Sequence, residues 1–212
     1  MKVVEIFNSI EGEGIRAGLP CTFIRLFGCN LKCSYCDSRY ACEGNDYSVM
    51  SIKEICNVVE RCGCPRITLT GGEPLIHPGV YKLIQILLDA GYWVNVETNG
   101  SQEPQLRHRD LFYTIDFKTK SSGVSDKMTP GAFTSLDSLD VVKFVVGSIE
   151  DLDQALEITE KYDIKSPIFV SPVFGKIEAV QIVEYIQNHN LWNWRVQLQM
   201  HKYIWDPNQK GV

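Results

Sequence analysis

The chain has 212 residues, a formal net charge of −5 and a hydrophobic fraction of 44%. This length is enough for one well-filled core, although a complete eight-fold β/α barrel typically needs about 250 residues. The acidic balance and the lack of a lysine and arginine block argue against a nucleic-acid partner. No apolar run approaches the roughly 20 residues of a membrane span, and the first residues lack a signal-peptide layout. We therefore expect a cytoplasmic protein with no membrane partner.

Strand-like and helical segments alternate along almost the whole chain, which predicts a single α/β domain over residues 1–212 with a mainly parallel sheet. The predicted strands are Val3–Asn8, Cys21–Gly28, Ile67–Thr70, Trp93–Thr98, Phe112–Lys118, Val141–Val146, Ile168–Val173 and Arg195–Met200. The predicted helices run from Ser51 to about Arg61, over His77–Ala90, from Ser148 to about Tyr162, and over Ile177–Asn188. Ser51 and Glu54 have the spacing of a capping box, which fixes the start of the first helix.

One face of the predicted sheet is polar. Successive side chains of a strand alternate sides, so Asn95 and Glu97 share one face while Val94 and Val96 share the other. If helices cover the apolar face, the polar face must line water or a ligand. A flat sheet with that face in solvent also satisfies the pattern. We favour a sheet curled into a partial TIM-type β/α barrel, because its concave face could hold a cofactor and a substrate.

Three of the eight cysteines, Cys29, Cys33 and Cys36, lie in a loop directly after a predicted strand. Without an export signal, they are better interpreted as thiols or metal ligands than as disulfides. Thiolates suit iron–sulfur clusters and zinc, but a structural zinc site needs four ligands, and only Cys42 is near enough in sequence to be a fourth. Three thiolates on a four-iron cluster would leave one iron open. A zinc knuckle or a coincidental grouping is the alternative.

The spacing Cys-x-x-x-Cys-x-aromatic-Cys, with Tyr35 as the aromatic residue, resembles the signature of the radical S-adenosylmethionine (SAM) superfamily. The resemblance implies a [4Fe–4S] cluster that binds and reduces SAM, giving a 5′-deoxyadenosyl radical that abstracts hydrogen from a substrate. Gly71-Gly72-Glu73-Pro74 resembles the segment that contacts the SAM amino group. Glu97 and Asn99 resemble residues that meet its ribose hydroxyls. Ordinary Gly-Gly and Asn-Gly turns are the structural alternatives.

Four further segments together resemble the 7-carboxy-7-deazaguanine synthase family. They are Phe7–Gly14, Phe23–Cys29, Cys36-Asp37-Ser38 and Met200–Tyr203. The resemblance implies conversion of 6-carboxy-5,6,7,8-tetrahydropterin to 7-carboxy-7-deazaguanine, with loss of ammonia, for queuosine or related 7-deazapurines. It also implies a homodimer that uses SAM, a [4Fe–4S] cluster and Mg²⁺, with flavodoxin or a similar electron donor.

The family resemblance assigns roles residue by residue. It implies substrate contacts by Ile10, Glu11, Gly12, Arg25 and Thr70. It implies SAM contacts by Gly72, Glu73, Glu97, Asn99, Asp116, Phe117, Lys118, Ser171, Pro172, Val173 and Phe174. Cys29, Cys33 and Cys36 would hold the cluster, and Ser38 would bind Mg²⁺.

Some of these roles have alternatives or departures from the family pattern. Arg25 lies in an apolar strand, which is costly unless it pairs with an anion, so a structural Arg–Glu pair competes with a substrate carboxylate. Ser38 stands where the family usually has threonine, which preserves the hydroxyl in a side chain with more rotamer freedom. Glu11 stands where glutamine is common. In some family members the chain terminus reaches the substrate, which makes the Val212 carboxylate a candidate contact.

Two other classes of function are compatible with the cysteine motif. A radical SAM activase, which installs a glycyl radical on a partner protein, carries the same spacing. A non-enzymatic iron–sulfur or zinc module needs only the cysteines. Arg25 and the Glu11-Gly12-Glu13-Gly14 segment favour an enzyme with a small anionic substrate over both.

Overall fold

The structure is a computed structural model that describes residues 1–206 and 209–211. Its strands are β1 (Lys2–Ile10), β2 (Pro20–Leu26), β3 (Ser48–Val49), β4 (Arg66–Gly71), β5 (Trp93–Thr98), β6 (Leu111–Phe117), β7 (Val141–Val146), β8 (Ile168–Pro172) and β9 (Trp194–Val196). They form one sheet in the order β3-β1-β2-β4-β5-β6-β7-β8-β9. From β2 to β9 every neighbouring pair is parallel, whereas β1 runs antiparallel to β2 and β3.

The helices are α1 (Ile52–Cys62), α2 (Val80–Asp89), α3 (Gly131–Thr134), α4 (Ile149–Lys161), α5 (Ala179–Asn188) and α6 (His201–Ile204). Side chains from α1, α2, α4 and α5 join one hydrophobic core with the apolar face of the sheet. The predicted capping box is confirmed, because Ser51 and Glu54 accept hydrogen bonds from each other's backbone N–H groups. The helices therefore cover one face and leave the polar face free.

All eight predicted strands are present, and two details differ. The short strand β3 was not predicted, since two residues give no periodicity. The last strand ends at Val196 and does not continue to Met200. Just beyond this end the backbone N–H of Gln197 still bonds Val170 O of β8 at 2.9 Å. The side chain of Gln197 bonds both backbone groups of Gly14, at 2.6 Å and 3.0 Å.

The sheet curls so that its polar face is concave. The loop after β1 contacts the far side of the sheet, where Glu13 meets Lys143 of β7 at 2.9 Å and Ser171 of β8 at 3.3 Å. Within the described residues the edge strands β3 and β9 do not pair, so the barrel stays open. The prediction of a partial, mainly parallel β/α barrel is confirmed.

The helices and the cysteines can be checked for membrane spans and for disulfide bonds. None of the helices in the part of the chain that the structure describes has the length and apolar character to span a bilayer. The eight cysteines all lie in the described ranges, and each is a free thiol. They are thus available as ligands.

Candidate active site

The concave face encloses a cavity of about 250 Å³. Ligands of parallel α/β sheets bind at the carboxyl ends of the strands. The loop that carries Cys29, Cys33 and Cys36, called the cysteine loop below, begins at that end of β2. Most of the predicted site residues line the wall: Ile10, Gly12, Arg25, Cys29, Cys33, Cys36, Ser38, Thr70, Gly72, Glu97, Asn99, Asp116, Lys118, Val173 and Phe174. The five that do not are Glu11, Glu73, Phe117, Ser171 and Pro172.

The cysteine loop forms one wall of this cavity. The neighbouring Cys42 thiol is the main factor lowering the pKa of Cys29 to about 6, and burial opposes it. The same thiol lowers the pKa of Cys36 to about 7. Burial instead raises the pKa of Cys33. Thiolates are the ligand form of cysteine, so this soft, three-thiol donor set fits an iron–sulfur cluster.

The cysteine loop offers three thiols to a metal site. A structural zinc ion needs four ligands in a closed tetrahedron, and Cys42 also lines the cavity. These donors are compatible with a zinc knuckle and with an iron–sulfur cluster, and the comparisons with known proteins decide between the two.

The Gly-Gly segment packs directly against the cysteine loop. Gly71 has a φ of +145°, and a Cβ there would collide with the backbone of Leu26. A Cβ on Gly72 would collide with the carbonyl oxygen of Gly28 and lie 2.8 Å from Cβ of Cys29. Only glycine permits so close an approach of two backbones. The two predicted motifs are therefore one structural unit.

Glu73 is fully buried and faces away from the cavity. Its carboxylate accepts hydrogen bonds from Leu75 N at 2.9 Å, Thr98 Oγ1 at 2.8 Å and Asn99 N at 2.6 Å. Burial raises the pKa of Glu73 to about 7, against these hydrogen bonds. The side chain thus fixes the turn after β5, and Glu73 does not line the cavity.

A chain of charged groups crosses the cavity wall. Lys143 lies 2.9 Å from Glu13 and 3.3 Å from Asp116, and Asp116 lies 3.0 Å from Lys118. Burial by itself lowers the pKa of Lys143, but Glu13 and Asp116 outweigh it and raise that pKa well above its usual value. Glu13 was missed as a site residue, although it belongs to the Glu-Gly-Glu-Gly segment. Alternation along β7 does place Lys143 on the polar face.

Arg25 has a partner and also lines the cavity. Its Nε donates to Glu5 Oε1 at 2.7 Å, and Tyr40 donates to the same oxygen at 2.9 Å. The side chain is only 13% exposed. Within the described residues, the two terminal nitrogens of Arg25 have no acceptor. The alternative of a structural ion pair is thus present, yet it leaves the end of the guanidinium free for a second anion.

Two polar strand residues lie beside Arg25 on the cavity wall. Thr70 of β4 pairs with Arg25 in the sheet register. Its hydroxyl donates to Glu97 Oε2 at 2.9 Å, which links β4 to β5. Both side chains remain in contact with the cavity.

Glu11 and Gly12 are neighbours in sequence, but only Gly12 lines the cavity. Glu11 is 2% exposed and accepts hydrogen bonds from Thr68 and, at 3.5 Å, from Asn95. Its Oε2 is buried without a partner among the described residues, and burial and then Glu97 raise the pKa of Glu11 to about 8. Gly12 does line the cavity, where a Cβ would lie 2.5 Å from Nδ1 of His201. The side chain of Glu11 therefore lies outside the cavity wall.

Ser38 lies beside the carboxylate of Asp37, a residue for which the sequence analysis predicted no role. Its hydroxyl donates to Asp37 Oδ1 at 3.1 Å, and Asp37 pairs with Lys202 at 3.3 Å. Mg²⁺ prefers oxygen ligands, keeps several waters and often takes only one or two carboxylates from the protein. A hydroxyl and a carboxylate side by side on the cavity wall fit that requirement.

The remaining predicted SAM contacts divide between wall and core. Phe117 packs against Phe133 and Phe144, with ring centroids 5.2 Å and 5.5 Å away, because alternation along β6 turns it from the cavity. Ser171 donates to Glu13 and Pro172 lies outside the wall, whereas Val173 and Phe174 line it. Val212, with its carboxylate, lies outside the described residues.

Comparison with known proteins agrees with this site. The model of the Radical SAM superfamily matches residues 23–110, which include the cysteine loop and the Gly-Gly segment. The crystal structure of QueE from Escherichia coli covers 94% of each chain with a TM-score of 0.79 at 23% identity, which supports the fold. Streptococcus suis SuiB bound to S-adenosylmethionine covers 83% of this chain, and this chain covers 51% of it, with a TM-score of 0.55 at 14% identity. The superfamily model and the cysteine loop agree on the radical SAM class, and the curated relatives establish it.

Curated relatives narrow the class to a family. The 7-carboxy-7-deazaguanine synthase of Clostridium acetobutylicum is 41% identical over 100% of this chain and 99% of its own length. The synthase of Methanospirillum hungatei is 38% identical over 98% of this chain and 86% of its own. The chain belongs to the 7-carboxy-7-deazaguanine synthase family, a family of radical SAM lyases. This membership decides against the activase and against a non-enzymatic module.

Proposed function

We propose that this protein converts 6-carboxy-5,6,7,8-tetrahydropterin to 7-carboxy-7-deazaguanine with release of ammonia, for queuosine or another 7-deazapurine. The observation that carries the proposal is that the cysteine loop and a half-buried arginine, whose terminal nitrogens have no acceptor among the described residues, line the same cavity. A radical generator and an anion-binding group in one enclosed space suit a small carboxylate substrate. Residues 1–212 would act as a single radical SAM core.

Cys29, Cys33 and Cys36 would hold the [4Fe–4S] cluster. When bound, the cluster and SAM supply the radical that abstracts a hydrogen atom from the substrate. The cofactor would lie along the wall formed by Gly72, Glu97, Asn99, Asp116, Lys118, Val173 and Phe174. Four predicted residues do not line the cavity and would support this wall from behind, through their backbones. They are Glu73, Phe117, Ser171 and Pro172.

The substrate would lie against the wall formed by β1, β2 and β4. The free end of Arg25 would bind its carboxylate through two parallel N–H bonds. Thr70, Ile10 and Gly12 line the cavity and would contact the pterin. Glu11, which lies between Ile10 and Gly12 in the chain, would add a contact through its backbone. The pair of Glu13 with Lys143 would add a polar, nearly buried contact that the sequence did not predict.

Ser38 would bind Mg²⁺, with Asp37 as the neighbouring oxygen donor and the substrate carboxylate completing the site. The support is the donor chemistry alone. If Ser38 holds the ion, Ser38→Ala should raise the Mg²⁺ concentration needed for half-maximal activity, while Ser38→Thr should leave it unchanged or lower it. Equal Mg²⁺ requirements in all three proteins would contradict the assignment.

The proposed partners are a second copy of the chain and flavodoxin or a similar donor that supplies one electron at a time. Homodimer formation would cover exposed apolar side chains, of which Val180 and Val183 on α5 and the nearby Trp192 are examples. A cytoplasmic setting, where thiols stay reduced, suits eight free cysteines.

The test of the function is one anaerobic incubation of the reconstituted full chain with reductant, SAM, Mg²⁺ and 6-carboxy-5,6,7,8-tetrahydropterin. We expect 7-carboxy-7-deazaguanine and ammonia in equal amounts, detected by liquid chromatography with mass spectrometry and by an ammonia assay. An intact cluster that forms neither product would refute the reaction while leaving the superfamily assignment standing.

A further inference from the structure

The side-chain amide of Asn99, just after β5, points at a cluster ligand. Its Nδ2 lies 3.6 Å from the Sγ of Cys29 and 3.1 Å from Oδ1 of Asn30. Sulfur is larger than oxygen, so hydrogen bonds to it are correspondingly longer. Asn99 is only 7% exposed, which strengthens the contact by excluding water.

The orientation of this amide follows from its other partners. Asn99 Oδ1 accepts from Ser101 N at 3.0 Å, so the opposite end, Nδ2, must face Cys29. Asn30 uses its own Nδ2 on Ser101 Oγ at 2.8 Å, which leaves its Oδ1 to accept from Asn99. Every hydrogen bond agrees with one assignment of nitrogen and oxygen.

The backbone beneath the amide is also fixed. The buried carboxylate of Glu73 accepts from Asn99 N at 2.6 Å and from Thr98 Oγ1 at 2.8 Å. The Gly-Gly-Glu-Pro segment therefore positions the Asn99 amide as well as packing on the cysteine loop.

The three cysteines of the loop differ in the hydrogen bonds that their sulfur atoms receive. Cys29 receives the Asn99 amide and, at 3.4 Å, the backbone N–H of Leu31. In the described ranges, no side-chain amide donates to Cys33 or Cys36. The amide donor is thus specific to one ligand of the cluster.

We propose that Asn99 is a positioning residue that raises the reduction potential of the cluster by donating an N–H···S hydrogen bond to Cys29. The inference rests on the proposed function only in requiring a cluster on the three cysteines. Reduction adds negative charge to a cluster, and hydrogen bonds to its sulfur ligands stabilise that charge. This role leaves one lone pair of Asn99 Oδ1 free, so it is compatible with a ribose contact.

The test is a redox titration of the reconstituted full chain, followed by electron paramagnetic resonance, with neither SAM nor pterin present, so that a change in SAM binding cannot shift the potential. Asn99→Ala should shift the midpoint potential to more negative values, and Asn99→Asp further, because it adds a charge as well as losing the donor. Asn95→Ala is the matched control, since Asn95 is a buried amide of β5 that bonds Thr114 and Glu11 and no cysteine. The midpoint potential of the cluster in Asn95→Ala should equal that of the wild type.

Iron content and circular dichroism are measured on every variant, and Asn99→Asp keeps the shape of the side chain if Asn99→Ala folds poorly. Equal midpoint potentials in the wild type and in a cluster-containing Asn99 variant would overturn the inference alone. A wild-type chain that takes up no iron–sulfur cluster would overturn the proposed function together with it. Because no pterin is used, failure to act on the proposed substrate does not affect the result.

Discussion

The two walls of the cavity are built in different ways. The proposed cofactor wall comes from short, contiguous motifs, since Cys29, Cys33 and Cys36 share one loop and Gly71-Gly72 packs directly on it. The proposed substrate wall is assembled from distant strands, where Glu5 pairs with Arg25 and Glu13 pairs with Lys143. On this assignment, the chemistry shared by a superfamily resides in local sequence, whereas recognition of one substrate depends on long-range packing.

The largest effect is expected on the cofactor wall. Cys33→Ala should abolish product formation, because two thiolates cannot retain a cluster with a single open iron. Iron and sulfide analysis after anaerobic reconstitution measures the loss directly. Cys56→Ala on α1 is the matched control and should keep full iron content, since Cys56 packs beside the hydrophobic core. An active Cys33→Ala enzyme would show that the cofactor wall is wrongly assigned.

On the substrate wall, Arg25→Ala should raise KM for the pterin by roughly 10- to 100-fold, the loss expected for hydrogen bonds to a charged group. SAM binding and cluster content should stay as in the wild type, which separates the two walls. Arg195→Ala serves as the control, because Arg195 is exposed on β9. Normal substrate binding by Arg25→Ala would disprove the role of the arginine.

A smaller effect is expected for Glu5→Gln. Glu5 holds Arg25 and Tyr40 through one oxygen, so loss of its charge should raise KM about three- to tenfold by loosening the arginine. The same substitution should add nothing in the Arg25→Ala background, as expected for residues that act as a unit. Glu60→Gln on the exposed side of α1 is the control. Additive effects in the double variant would contradict a positioning role.

The smallest effect concerns stability. Burial raises the pKa of Glu11 from 4.5 to about 8, so the folded state holds this proton more tightly than the unfolded state. Stability from this group is therefore present below the unfolded pKa and lost as the pH rises through about 8. Glu11→Gln should remove that loss and raise the free energy of unfolding at pH 9 by about 1 kcal/mol. Urea unfolding from pH 5 to 9 measures the difference, and parallel pH profiles for the two proteins would contradict it.

Much of the fold could be predicted from the sequence because periodicity is local. Alternation of apolar and polar side chains gave all eight of the longer strands and the face that lines the cavity. It could not give β3, which has two residues, or the end of β9, where the side chain of Gln197 bonds Gly14, a residue remote in sequence.

The site could be predicted only as far as motifs extend. Local motifs were enough to select Cys29, Cys33, Cys36 and Gly72, and all four line the cavity. The burial of Glu11 and Glu73 could not be predicted, because it depends on neighbours such as Thr68 and Thr98 that are remote in sequence. The alignment of Glu13 with Lys143 likewise requires the curl of the whole sheet.

The most direct test of the central claim is hydrogen transfer between the two walls. The protein is incubated anaerobically with SAM, reductant and 6-carboxy-5,6,7,8-tetrahydropterin deuterated at its non-exchangeable ring positions, and the 5′-deoxyadenosine formed is examined by mass spectrometry. If one cavity holds both molecules, deuterium from the pterin appears in the 5′-deoxyadenosine. Unlabelled 5′-deoxyadenosine, formed at the same rate with and without the pterin, would contradict the account.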